Sequence, residues 1–297
     1  MKHFLKRTFF FLFTFSIVGL LIYHFYIKIK FNEVTKNIDF AENIENKVDV
    51  ILLGSSIEAH YDVESDSHLR ISEIMDTLSQ KKIIGISHPG FFMPTYWSII
   101  DYFKERTESL DIIIPINFRS FSESWYLSKF NQFRDFDYYL SIFNFFQKEY
   151  NQKSNLHKIS LDCNKDYTLQ DFLDTFYLSD SDNDLEKCVY YEFEIERDNF
   201  TLIYLEKILN NKYENLNLFF YFEPLDYKSL DLNQNFYLEQ NKNLIRRKIE
   251  TKNFNVIDIS KLLGSDFFDY NKTFNEHTKQ VGKFYTAKAI LDSIDIN

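Results

Sequence analysis

Apolar and polar positions along the chain alternate between short, unbroken hydrophobic runs and longer amphipathic stretches. The first run, residues 8–27, contains no Asp, Glu, Lys or Arg and follows Lys2, Lys6 and Arg7. About twenty such residues are enough to cross a bilayer. Its exit through Tyr23, His24, Phe25 and Tyr26 lacks the small-residue cleavage pattern of a signal peptide, so the stretch reads as an uncleaved signal anchor. Lys28 and Lys30 partly balance the basic residues before the span; the orientation favoured is the short end inside. Residues 1–30 are therefore expected to form a cytoplasmic tip and one transmembrane helix, and 31–47 a polar linker and lead-in helix.

Beyond residue 47 the pattern predicts one α/β domain over 48–297. Val48–Leu53, Lys82–Ser87, Leu110–Ile116, Leu216–Phe222 and Asn255–Ile259 are the candidate strands; their near-continuous apolar character suits parallel strands covered on both faces. Amphipathic helices are expected at Pro94–Glu108, from a cap at Asn199 to about Lys212, at Leu238–Thr251 and at Lys283–Ile294. Alternation of strand and helix implies a flavodoxin-like, doubly wound parallel sheet. Residues 119–198 break the alternation with aromatic-rich stretches such as Phe136–Tyr150 and the acidic Ser179–Asp184, and read as a helical insertion or cap.

Composition narrows the function. A net charge of −10 disfavours a nucleic-acid partner, which requires clustered Lys and Arg. Gly282-Lys283-Phe284 lacks the rest of a phosphate-binding loop, and no Cys-x-x-Cys or His-Glu-x-x-His occurs, so no cofactor or metal is implied. The 33 Phe and 20 Tyr are consistent with an AT-rich genome and are given little functional weight. Cys163 and Cys188 are either buried thiols or a disulfide, a choice that spacing does not decide.

The candidate chemistry lies at the ends of the strands. Val48–Leu53 runs into Gly54-Ser55-Ser56, and a serine at such a strand-to-helix turn presents its hydroxyl beside backbone N–H groups. A serine needs an imidazole to activate it, and His277 is the best candidate; His60 and His88 are rivals. Each residue also has a plainer reading. Ser56 suits a helix cap, Asn117 a turn, His277 a surface loop, and Arg119 either an ion pair or a site for an anionic substrate group.

In chain order, Gly54-Ser55-Ser56, Gly90 in Ile83–Gly90, Asn117 after Asp111–Ile116, and His277 resemble the four blocks of the SGNH (GDSL-type) hydrolases. The resemblance covers 48–118 and 216–290. It implies Ser56 as nucleophile, His277 as base, and the Ser56 N–H, Gly90 N–H and Asn117 amide as oxyanion donors. Departures are Ser55 for the middle aspartate of Gly-Asp-Ser, Pro115 and Phe118 around Asn117, and Phe274 where the family places its acid. Glu276, ahead of Asp269 or a backbone carbonyl, is expected to orient the imidazole. The implied activity is that of a membrane-anchored esterase or O-acyltransferase, acting on an envelope glycan at the outer face of a bacterial cytoplasmic membrane. Anchored proteins of this kind, the D-alanyl transfer protein among them, work beside membrane acyltransferases. The alternatives are a degenerate binding domain and a lipid-active esterase whose aromatic insertion is a lid.

Overall fold

The structure is a computed structural model and describes residues 2–43, 47–59, 69–105, 108–122, 136, 193–268 and 277–294. Helix α1 (Lys2–Lys30) is followed, with only Phe31 between, by α2 (Asn32–Glu42). Then come β1 (Val50–Gly54), the single turn α3 (Ser56–Ala59), α4 (Ile71–Leu78), β2 (Ile83–Ser87), α5 (Met93–Phe103) and β3 (Leu110–Ile116). The remainder is α6 (Phe200–Asn210), β4 (Leu216–Phe222), α7 (Leu232–Glu250), β5 (Asn255–Asp258) and α8 (Gln280–Ile294). Most of the expected insertion, residues 137–150 of its expected helix among it, and both cysteines lie outside the described residues.

Among the described residues five strands form one parallel sheet, in the order β2-β1-β3-β4-β5, the doubly wound order of the flavodoxin type. Successive side chains on a strand point to opposite faces, and the strands obey this period closely. Ile51, Leu53, Ile86, Ile112, Ile114, Ile116, Leu218, Phe220 and Phe222 join the larger core, together with α2, α5, α6 and α7. Val50, Leu52, Ile83, Ile113, Tyr221 and Ile257 join the smaller core against α4 and α8. Burial on both faces explains why the strands read as apolar runs.

Several boundaries differ from the sequence expectation: α5 ends at Phe103 instead of Glu108, and α8 begins at Gln280 instead of Lys283. Helix α7 begins at Leu232 instead of Leu238, because Asp231 accepts a hydrogen bond from the Gln234 N–H at 2.9 Å and the Gln234 side chain accepts from the Asp231 N–H at 3.1 Å. This reciprocal cap starts the helix within a polar stretch of weak periodicity. The expected lead-in helix is α2, and it packs on the domain: Phe31, Val34, Ile38 and Ala41 are buried in the larger core, and the Asn37 amide donates to the Gly85 carbonyl at 2.7 Å. Only Lys6–Lys30, with a mean hydropathy of 2.0, is long and apolar enough to cross a membrane among the described residues, and none of it is buried.

Candidate active site

The carboxyl edge of the sheet gathers the chemistry. Gly54 pairs with Ser87 and Leu52 with Ile113, so Ser56, the loop after β2, and Asn117 leave three adjacent strands at one level. Adjacent strands are about 4.8 Å apart, and ligands of open parallel sheets bind at this edge.

Ser56 opens α3 and is half-buried. Its Oγ lies 3.1 Å from Nε2 of His277. The turn requires glycine ahead of it, since a Cβ on Gly54 would overlap the Glu58 side chain. His277 is buried. It is held by the antiparallel bridge between Phe268 and Thr278 and by the Lys279 N–H, which donates to the Phe267 carbonyl at 2.8 Å. These contacts fix the backbone on both sides of Thr278 immediately before α8. With Nε2 unprotonated, the Ser56 hydroxyl donates to it, which is the arrangement of a nucleophile and its general base.

Gly90 is buried in the loop after β2 and has φ of 86°, a left-handed conformation that an L side chain adopts only at a cost. Its residue type therefore follows from the backbone of this loop. Asn117 is the first residue past β3, and its side-chain N–H donates to Oε2 of Glu223 at 2.8 Å. Glu223 is the first residue past β4 and is buried. Register explains the meeting, because Ile116 pairs with Phe222 and the Glu223 N–H donates to the Ile116 carbonyl at 3.3 Å. The short helical turn Phe118–Phe121 is tied to α6 through the Thr201 hydroxyl, which donates to the Ser120 carbonyl, and the Asn199 amide, which donates to the Phe121 carbonyl, both at 2.6 Å. Arg119 is buried within that turn, leaving its guanidinium little open surface for an anionic substrate group.

Two residues past Ser56, in the same turn, stands a carboxyl group that no sequence signal singles out. Glu58 is buried, and its oxygens accept from the Ser72 N–H at 3.2 and 3.3 Å and from the Ser72 hydroxyl. Burial pushes its pKa up, opposed by the Ser72 hydrogen bonds and, through space, by Lys283 and Arg70. Glu58 thereby joins the Ser56 turn to α4. Glu223 also escaped the sequence reading, although an acidic residue directly after an apolar parallel strand carried a usable signal.

Of the rival histidines, His88 is engaged with aromatic side chains. It packs on Phe31 and Phe91, with ring centroids 5.0 and 5.4 Å away, and its Nδ1–H donates to the Pro89 carbonyl at 2.9 Å. Burial lowers its pKa from the ordinary value. His60, Asp269, Phe274 and Glu276 lie outside the described residues. No cluster of three metal-ligating side chains occurs among the described residues.

No family model and no curated protein matches the sequence. Solved structures do resemble it. A variant of Axe2, an acetyl xylan esterase from Geobacillus stearothermophilus, is 10% identical over 84% of this chain and 98% of its own, with a TM-score of 0.39. A member of the lipolytic protein G-D-S-L family from Veillonella parvula is 12% identical over 84% and 98%, with a TM-score of 0.41. The lipase/acylhydrolase from Enterococcus faecalis is 12% identical over 83% and 95%, with a TM-score of 0.37. At this level of similarity the side chains of the site, rather than the neighbours, decide the chemistry.

Proposed function

We propose that this chain is an SGNH-type serine esterase or O-acyltransferase, anchored by α1 on the outer side of a bacterial cytoplasmic membrane and acting on an acyl ester of an envelope glycan. The observation that carries the reading is the 3.1 Å contact between Ser56 Oγ and His277 Nε2, made at the carboxyl edge beside Gly90 and Asn117. Serine and histidine meet there from opposite ends of the sequence.

In this reading Ser56 Oγ attacks the ester carbonyl carbon while its proton passes to His277 Nε2. The Ser56 N–H, the Gly90 N–H and the Asn117 amide stabilise the oxyanion; a single such donor is worth about 2.7–4 kcal/mol of barrier. The carbonyl–oxygen bond then breaks, and the leaving alkoxide takes the proton from Nε2. Water, or a sugar hydroxyl in the transferase case, attacks the acyl-serine with its proton accepted by His277, which finally reprotonates Ser56. Glu276 or Asp269 would orient the imidazole. A membrane acyltransferase is the partner that would supply or receive the acyl group.

A non-catalytic binding domain is the second reading, favoured by Phe274 at the family's acid position and Ser55 in place of its first aspartate. Labelling with a fluorophosphonate probe separates the two. The first reading expects one adduct on the wild type, lost in Ser56→Ala and His277→Ala. A folded wild type that takes no label supports the second.

A further inference from the structure

We infer that the catalytic edge of the sheet faces the bilayer, so that the enzyme takes its acyl ester from a lipid or lipid-linked carrier lying at the membrane surface. This rests on the proposed anchoring by α1; the direction in which the site points follows from how the chain enters the domain.

Phe31, the one residue between α1 and α2, is fully buried, with its ring 5.0 Å from His88, 6.1 Å from Phe91 and 5.3 Å from Phe136. His88 and Phe91 bracket Gly90. Six residues later, Asn37 donates to the Gly85 carbonyl in the middle of β2. Six helical residues rise about 9 Å, and the three strand residues from His88 back to Gly85 span about 10 Å, so α2 runs antiparallel to β2 from its carboxyl end downward. The chain therefore enters the domain at the catalytic edge and travels away from it.

Helix α1 does not fold back along the domain, since none of its candidate span is buried. Nor is there slack at the junction. The Thr35 N–H donates to the Phe31 carbonyl at 3.0 Å, continuing the helix from Phe31, and the Lys30 ammonium lies 5.4 Å from the Phe31 ring centroid. Lys28 and Lys30 close the apolar span at the level where basic residues meet lipid headgroups. The Gly90 loop thus rests against the exit of the span, and Ser56 lies on the next strand. A substrate polymer far from the membrane would have to pass between the site and the bilayer.

The test uses the full-length chain in vesicles of phosphatidylethanolamine and phosphatidylglycerol, with Cys163 and Cys188 replaced by Ser. Single cysteines are placed at the exposed positions Pro89→Cys and Lys279→Cys on the catalytic edge, or Lys252→Cys at the opposite edge. Each carries the same fluorophore, and nitroxide-labelled headgroups serve as quencher. At least twofold stronger quenching at both catalytic-edge positions than at Lys252→Cys is expected; equal or reversed quenching overturns the orientation. For the substrate, a lipid-borne acyl ester should turn over faster in the enzyme's own vesicles than in separate ones, and equal rates overturn the lipid-carrier part. Quenching requires no catalysis. A correct pattern without fluorophosphonate labelling would therefore sink the proposed function and leave the orientation standing.

Discussion

The side-chain amide of Asn117 is held by Glu223 across two neighbouring strands, with its N–H 2.8 Å from the carboxylate oxygen. That bond settles which end of the amide is nitrogen and holds in place the group that the proposed mechanism aims at the oxyanion.

Glu223 is therefore expected to act as a positioning residue. Glu223→Gln retains an acceptor and should keep kcat for a simple ester within a few-fold. Glu223→Ala leaves a polar group unsatisfied at a cost of about 1–3 kcal/mol and frees the amide to rotate. It should lower kcat at least tenfold with KM little changed. Steady-state kinetics beside thermal melts decide; equal kcat in both variants refutes the role.

Glu58 predicts a pH dependence of stability. Its pKa is raised in the folded protein above the ordinary 4.5, so the folded state keeps a proton that the unfolded chain loses. Its contribution is thus most favourable below pH 4.5 and declines as pH rises toward the folded value. Glu58→Gln mimics the protonated form and removes this decline. Urea titrations from pH 4 to 8 should show the variant gaining on the wild type as pH rises, and a constant or opposite difference refutes the assignment.

Gly90→Ala places a Cβ at φ of 86°. The left-handed conformation costs a non-glycine residue about 1–2 kcal/mol, which for a domain of this size lowers Tm by several degrees. The larger effect is expected in kcat, because strain relief would move the N–H of residue 90. Calorimetry and ester turnover measure the two separately.

Phe31→Ala removes a fully buried ring from the contact between α2 and the Gly90 loop. Truncation of such a ring costs about 3–5 kcal/mol. A melt of the detergent-solubilised chain should show a loss on that scale, whereas a change under 1 kcal/mol would mean that the junction is not packed as described.

The sheet was legible in the sequence because parallel strands covered on both faces must be apolar throughout, and Ile112, Ile114 and Ile116 announce this as clearly as Ile51 and Leu53. Helix α2 was harder to read. Val34, Ile38 and Ala41 give it a narrow apolar stripe within a polar segment, so its packing on β2 was hidden behind its average composition. Among site residues, Ser56 and Asn117 were marked by ending apolar runs and Gly90 by its rarity. Glu223 ends such a run too, but its meaning depends on the register of β3 against β4, which pairs residues more than a hundred positions apart. Glu58 was invisible for a different reason: a lone acid in a helical turn reads as a solvated face until Gly54, Gly85 and Ser72 are seen to close around it.

Serine and histidine stand 221 residues apart in the chain. During synthesis the Ser56 turn emerges long before its partner, and the early strands can pair while the hydroxyl has no base beside it. The bridge of Phe268 with Thr278 and the docking of α8 come last. On the proposed mechanism, a chain cut short anywhere before residue 277 would carry an inert serine, so reactivity would report completion of the fold and a stalled or clipped product would stay silent.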